Sequence, residues 1–229
     1  MKKGTLCISF DTELLWGRHE GNWKLFIPRA EKTRRTIDRL LSILAEYSVP
    51  ATWAIVGNLY IANKKKPLWH APDVVKKIRS HANQEIGCHS FSHIRFGDPL
   101  LSKDTAERDI KQCVEMAKKE NIILKSFVFP YNSVGHLNLL KKYGFTSYRG
   151  DDQYSTRSPV KKLQLLLDLF TPMGSSVNEP RRVQNLIEIP GSFYFLSARG
   201  FRKYIPRGTR YRKAKHGIDR AIAEKKIFH

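Results

Sequence analysis

The chain has 229 residues, 41% of them apolar, and a formal charge of +20, a composition that can bury a sizeable core and lies far from that of a disordered segment. No uncharged apolar run approaches the ~20 residues that cross a bilayer. The Met1-Lys2-Lys3 start reaches Asp11 after a very short apolar run, unlike a secretory leader, so the expectation is one cytoplasmic domain over residues 1–229.

Cys7, Cys88 and Cys113 are odd in number and widely spaced, which suggests neither a disulfide framework nor a zinc ribbon. Cys88 beside His89 reads as an ordinary buried thiol. Basic residues gather at Lys64-Lys65-Lys66, at Arg181-Arg182 and from Arg202 to Lys215. Such a field attracts phosphate, anionic glycans or an anionic membrane surface. The aromatic residues follow no nucleic-acid-binding pattern, so no nucleic acid is expected as partner.

In chain order, Leu6 to Phe10 predicts a buried strand ending at Asp11. Glu31 to Tyr47 predicts a helix with Ile37, Leu40, Leu41 and Leu44 on one face. Ala51 to Val56 is a second strand, Pro72 to Arg79 a short helix opened by proline, and Glu85 to Cys88 a strand delivering His89. Ser102 caps a helix running to about Lys119. Ser126 to Phe129 is a strand ending at Pro130, Leu137 to Tyr143 a helix closed by Gly144, and Phe145 to Tyr148 a further strand. Beyond these come a helix near Val160 to Phe170, a strand at Leu186 to Ile189 and a helix at Lys215 to Lys225. Ile227-Phe228 opens one more strand.

Alternating strands and helices imply a parallel sheet covered by helices. Asp11, Glu13, His89, Pro130-Tyr131 and Arg149 all fall at or just past the C-terminal ends of expected strands. Barrel enzymes gather their active sites there, which favours a (β/α) barrel over an open sheet. Ser9-Phe10-Asp11-Thr12-Glu13 and His89-Ser90-Phe91-Ser92-His93 together offer two carboxylates and two imidazoles. That set can hold one divalent metal and leave a carboxylate as base, the usual equipment of metal-assisted hydrolysis. A lone His-x3-His would be weak evidence; its position after the strand-like Glu85-Ile86-Gly87-Cys88 strengthens it.

These motifs resemble those of the polysaccharide deacetylases of carbohydrate esterase family four, and the resemblance runs in order along the chain. Asp11-Thr12-Glu13 is similar to the family's first motif, Pro50-Ala51-Thr52-Trp53 to its second strand, and Glu85 to His93 to its histidine motif. The resemblance implies an α/β fold, a distorted, incomplete (β/α) barrel. It implies Asp11 as general base, and Glu13, His89 and His93 as ligands of zinc or a similar first-row ion. It also implies Tyr131, after Pro130, as backbone donor to the oxyanion. The third motif's arginine position is Val128, and Arg149 is the candidate to steady Asp11. The family's last motif, a strand carrying a histidine, is not matched, since the chain stops at His229 as that strand begins.

Trp16, Pro130 and Asn132 are the candidate substrate-binding residues; His136 reads as a helix cap or loop residue, and Asp151-Asp152 equally well as substrate contacts or as an exposed turn. The expected function is removal of N-acetyl groups from an N-acetylated sugar. The substrate would be a glycan precursor or a lipid-linked sugar, met at the inner membrane face. A hydrolase of a non-sugar amide and a catalytically silent glycan- or surface-binding protein remain the alternatives.

Overall fold

A computed structural model describes residues 3–150, 176–193 and 204–229. The expected helix near Val160 to Phe170 and the Asp151-Asp152 pair lie outside the described residues. The chain divides into two compact units, the larger formed by Ile8–Tyr148 and Gln184–Leu186.

In the larger unit, strands β2 (Ser9–Thr12), β3 (Ala51–Ile55), β4 (Gln84–Cys88), β5 (Ser126–Val128) and the start of β6 (Ser147–Gly150) lie side by side in that order. The three pairings from β2 to β5 are parallel, and one row runs through Thr12, Ile55, Cys88 and Phe127. Gly87 sits where rows crowd: a Cβ there would come within 2.7 Å of Ser126 Oγ and 3.0 Å of a Thr52 methyl. A glycine before the histidine motif therefore follows from neighbouring side chains.

The connecting helices are α1 (Ile27–Glu46), α2 (Pro72–Arg79), α3 (Lys103–Lys119) and α4 (Leu137–Lys142). Each buries a stripe at helical spacing: Ile37, Leu41 and Leu44 in α1, Val74, Val75 and Ile78 in α2, Ala106, Ile110, Cys113 and Ala117 in α3. Ser102 caps α3, its Oγ accepting from Thr105 N–H at 3.2 Å. Between sheet and helices lies one core of branched aliphatics around Trp53, continued by a run of ring contacts from Phe96 through Phe127 and Phe129 to Tyr148.

The smaller unit comprises Met1–Cys7, Arg149–Val183 and Ile187–His229. In it β1 (Thr5–Leu6) runs parallel to β9 (Ile227–Phe228) beneath α5 (Arg207–Glu224), with Val177, Ala221 and Phe228 buried together. The strands β8 (Leu186–Pro190) and β7 (Arg181–Val183) are neighbours.

Three expectations needed correction. The first apolar run is two strands, because the chain changes partners at Cys7 and Ile8: Cys7 N–H donates to Phe228 O, while Ile8 O accepts from Thr52 N–H. Helix α5 starts eight residues earlier than Lys215, since Pro206 precedes its first turn and the basic stretch continues the helix. The strand β7 was not anticipated; its two arginines are exposed and give no buried pattern. Among the described residues no helix is long and apolar enough to cross a membrane.

Ile110 is fully buried in α3. Ile110→Ala should therefore destabilise the protein by about 2–5 kcal/mol, read as a lower urea midpoint at unchanged slope.

Candidate metal centre

The shared row decides where the chemistry gathers. Beyond Thr12, Ile55 and Cys88 the next residues are Glu13, Val56 and His89, all just past the ends of their strands and on the side where β5 ends at Val128. The last bonds of the ladder hold them there, with Val56 N–H donating to Thr12 O at 3.2 Å and His89 N–H to Ile55 O at 2.9 Å.

Glu13, His89 and His93 place their donor atoms within 4.8 Å of one another. Glu13 Oε2 is 2.8 Å from His93 Nε2 and 3.6 Å from His89 Nε2. His89 Nδ1 lies 2.7 Å from the Val128 carbonyl. A carbonyl only accepts, so Nδ1 carries the proton and Nε2 keeps its lone pair toward Glu13, the orientation seen for metal-binding imidazoles. His93 is buried, and its Nδ1 has no hydrogen-bond partner among the described residues.

Burial works against ionisation of Glu13, but the neighbouring imidazoles of His89 and His93 outweigh it and hold the carboxyl below the usual carboxylate range. Burial pushes the His93 imidazole down, and the pull of Glu13 the other way does not reverse it. A carboxylate and a neutral imidazole are the forms a metal requires. Two nitrogens and one oxygen at one focus fit zinc or a similar divalent ion with an open position.

Backbone geometry builds the site from unusual conformations. Leu14, Ser90, His93, Tyr131 and Asn132 all have positive φ, between 47° and 60°, and such residues collect where function demands strain. The histidine loop is held by Asp109, buried on α3, which accepts from Phe91 N–H at 2.7 Å and from Ser92 N–H and Oγ at 2.9 and 2.6 Å. Burial pushes the Asp109 carboxyl up despite these bonds. Ser90 Oγ accepts from His93 N–H at 2.7 Å. Gly17 leaves room for the ligand carboxylate: a Cβ there would stand 2.0 Å from Glu13 Oε1.

Asp11 is half-buried on β2 opposite Ala54, two residues before Glu13. Tyr131 packs its ring against His93, with centroids 4.7 Å apart, under the Arg95 guanidinium at 3.5 Å. The turn it occupies uses Asn132 N–H and Ser133 N–H for its own bonds to Phe129 O and Pro130 O. Pro130 is buried and Asn132 half-buried. Trp16 is half-buried and gives its indole N–H to Trp69 O at 2.8 Å. His136 is the left-handed N-cap of α4, and Cys88 is a buried free thiol against Cys113. Arg149 is the third residue of β6 and belongs to the smaller unit.

Four neighbours were missed. His19 packs edge-on against His93 at 5.9 Å, Glu20 lies 3.4 Å from Arg95, and Arg95 covers Tyr131. Nothing in spacing singles these out. Asp109 did leave a signal: a carboxylate within the buried stripe of α3, three residues after Ala106 and one before Ile110.

The polysaccharide deacetylase family model matches residues 3–148. The chain belongs to the polysaccharide deacetylase family. The succession of parallel strands and helices is that family's distorted, incomplete (β/α) barrel architecture. No curated protein matches the chain. Among solved structures, IcaB from Ammonifex degensii aligns with TM-score 0.40 at 14% identity, over 48% of this chain and 52% of its own. The peptidoglycan deacetylase PdaC from Bacillus subtilis gives 0.46 at 14% identity, over 99% and 87%. The 4-alpha-glucanotransferase from Thermococcus litoralis gives 0.59 at 14% identity, over 100% of this chain and 33% of the enzyme, a likeness of fold alone. The chain thus spans about half the length of IcaB and a third of the glucanotransferase.

Gly17→Ala should displace Glu13 and weaken divalent-metal binding about 10–100-fold, as loss of a supporting shell does elsewhere. Competition with a chromophoric chelator measures it, and unchanged affinity would contradict the role given to Gly17.

Proposed function

We propose that the protein is a metal-dependent deacetylase that removes the acetyl group from an N-acetylated sugar. The observation that carries this is the convergence of Glu13, His89 and His93 with donor atoms within 4.8 Å, His89 being oriented by the Val128 carbonyl. These three residues would hold zinc or a similar first-row ion. A metal there supplies Lewis acidity and makes a water nucleophilic near neutral pH.

Asp11 is the general base, taking the proton from the attacking water. It stands on the strand that delivers Glu13, which gives two nearby carboxylates separate tasks: Glu13 faces the imidazoles and Asp11 takes the proton. The Tyr131 N–H, which the turn does not use for its own bonds, donates to the oxygen that gains charge at the acetyl carbonyl. Positive φ at Tyr131 turns that amide away from the direction a regular helical turn would give it. Trp16, Pro130 and Asn132 line the substrate's approach.

Elemental analysis of the purified chain should find near one equivalent of divalent metal, and none in a His89→Ala/His93→Ala double variant. Occupancy should fall as pH drops, because protonation removes the imidazole lone pairs; the lowered pKa of His93 carries its share of that loss below the usual histidine range. Absence of metal from both proteins after incubation with zinc, cobalt or nickel would overturn the assignment. Asp11→Asn should keep the metal while acetate release from N-acetylated sugars drops by about 10²–10⁴-fold. Undiminished turnover in that variant would remove Asp11 from the mechanism.

A further inference from the structure

The larger unit has a cavity of about 660 Å³ with Leu15, two residues after Glu13, in its lining, within the range of small-molecule sites, roughly 300–1,000 Å³. It is separate from the metal ligands, none of which lines it. Its apolar walls are Leu15, Trp23, Ile27, Leu68 and Trp69. Trp69 is pinned on three sides: its ring packs edge-on against Trp16 at 5.1 Å and Trp23 at 5.5 Å, and its carbonyl takes the Trp16 indole N–H. Leu15 N–H donates to Leu68 O, so this wall is tied to the segment two residues after Glu13.

The rim is basic. Arg34, Arg35, Lys65 and Lys66 border the cavity against the single carboxylate of Glu31. Arg34 is committed to Asp73 and to the Pro67 carbonyl. Arg35, Lys65 and Lys66 meet no carboxylate within salt-bridge distance among the described residues. An apolar trough closed by three uncompensated cations is complementary to an apolar chain that ends in a group of more than one negative charge. A sugar, neutral and hydroxylated along its length, would leave the cations unanswered.

We propose that the cavity binds one amphiphilic phosphate, an alkyl or prenyl chain lying against Trp23, Ile27 and Trp69 with its phosphate at Arg35, Lys65 and Lys66. Taken together with the deacetylase function, on which this further step rests, the ligand is the carrier end of the substrate. The acetylated sugar is then joined through phosphate to an apolar chain. Glu13 and the cavity's Leu15 are two residues apart, so one short segment reaches both sites.

Isothermal titration of the full-length chain with decyl, octyl and hexyl phosphate, below their critical micelle concentrations and in chelator, tests the proposal without metal or turnover. Decyl phosphate should bind, with affinity falling about tenfold for each two methylenes removed. Inorganic phosphate and neutral decyl maltoside should each bind at least about tenfold more weakly. An Arg35→Gln/Lys65→Gln/Lys66→Gln variant should lose the preference for phosphate over maltoside, and Trp23→Ala should flatten the chain-length series. Circular dichroism checks that both variants fold.

Equal binding of decyl maltoside, no chain-length dependence, or unchanged affinity in the triple variant would overturn the proposal. So would attachment to anionic phospholipid vesicles that Trp23→Ala leaves intact while decyl phosphate gives no heat, since that describes a charged surface rather than a filled cavity. Failure here leaves the metal content of the centre untouched. A chain without metal would leave this titration equally readable, so the two failures are distinguishable.

Discussion

The candidate centre depends on register in a parallel sheet. Because β2, β3, β4 and β5 run in the same direction and share the row Thr12, Ile55, Cys88, Phe127, residues more than a hundred positions apart emerge at one edge. Parallel pairing also needs a crossover helix between successive strands. That requirement accounts for α1 to α3 and leaves the strand ends free of tight turns. A slip of one residue in β4 would send His89 to the opposite face of the sheet. Gly87, which fits only because its neighbours on both sides crowd it, opposes such a slip.

A second layer converts a meeting point into a usable site. Three acceptors do most of this work: the Val128 carbonyl sets the tautomer of His89, Ser90 Oγ takes the His93 amide, and Asp109 holds the loop between them. Asp109 is a buried carboxylate without a cation, and three donors from one short loop satisfy it. Buried polar groups of this kind stabilise only when every member is bonded. The rigidity they confer keeps the two imidazoles, in edge-to-face contact with each other, beside Glu13.

Charge is distributed by function as well. The chain carries +20 overall, yet Glu13 is paired with histidines rather than with a lysine or arginine, and that pairing can be exchanged for a cation without leaving a buried charge unmatched. Arg95 is spent on the Tyr131 ring and Glu20. At the cavity rim Arg35, Lys65 and Lys66 meet no carboxylate within salt-bridge distance among the described residues. One unit thus carries both the candidate metal centre and a cavity with a basic rim.

Much of this was legible beforehand. The periodicities of α1, α2 and α3 and the apolar runs of β3, β4 and β5 depend on local burial, which a sequence records directly. The two motifs carrying Glu13, His89 and His93 were equally readable, since a ligand set must present particular residue types. Other features were not readable, because they arise from contacts between distant segments. The break at Cys7–Ile8 exists because β9 competes for the first strand. The tautomer of His89 is decided by a carbonyl 39 positions away. His19 and Arg95 become neighbours of His93 and Tyr131 through loop geometry that no spacing encodes. By itself, the amino-acid order determined which chemistry was available and which segments would be helix or strand, since both follow from side-chain type and local period. Only the tertiary structure decided which atoms of those residues face one another, because strand register and positive-φ turns are settled by packing across the chain.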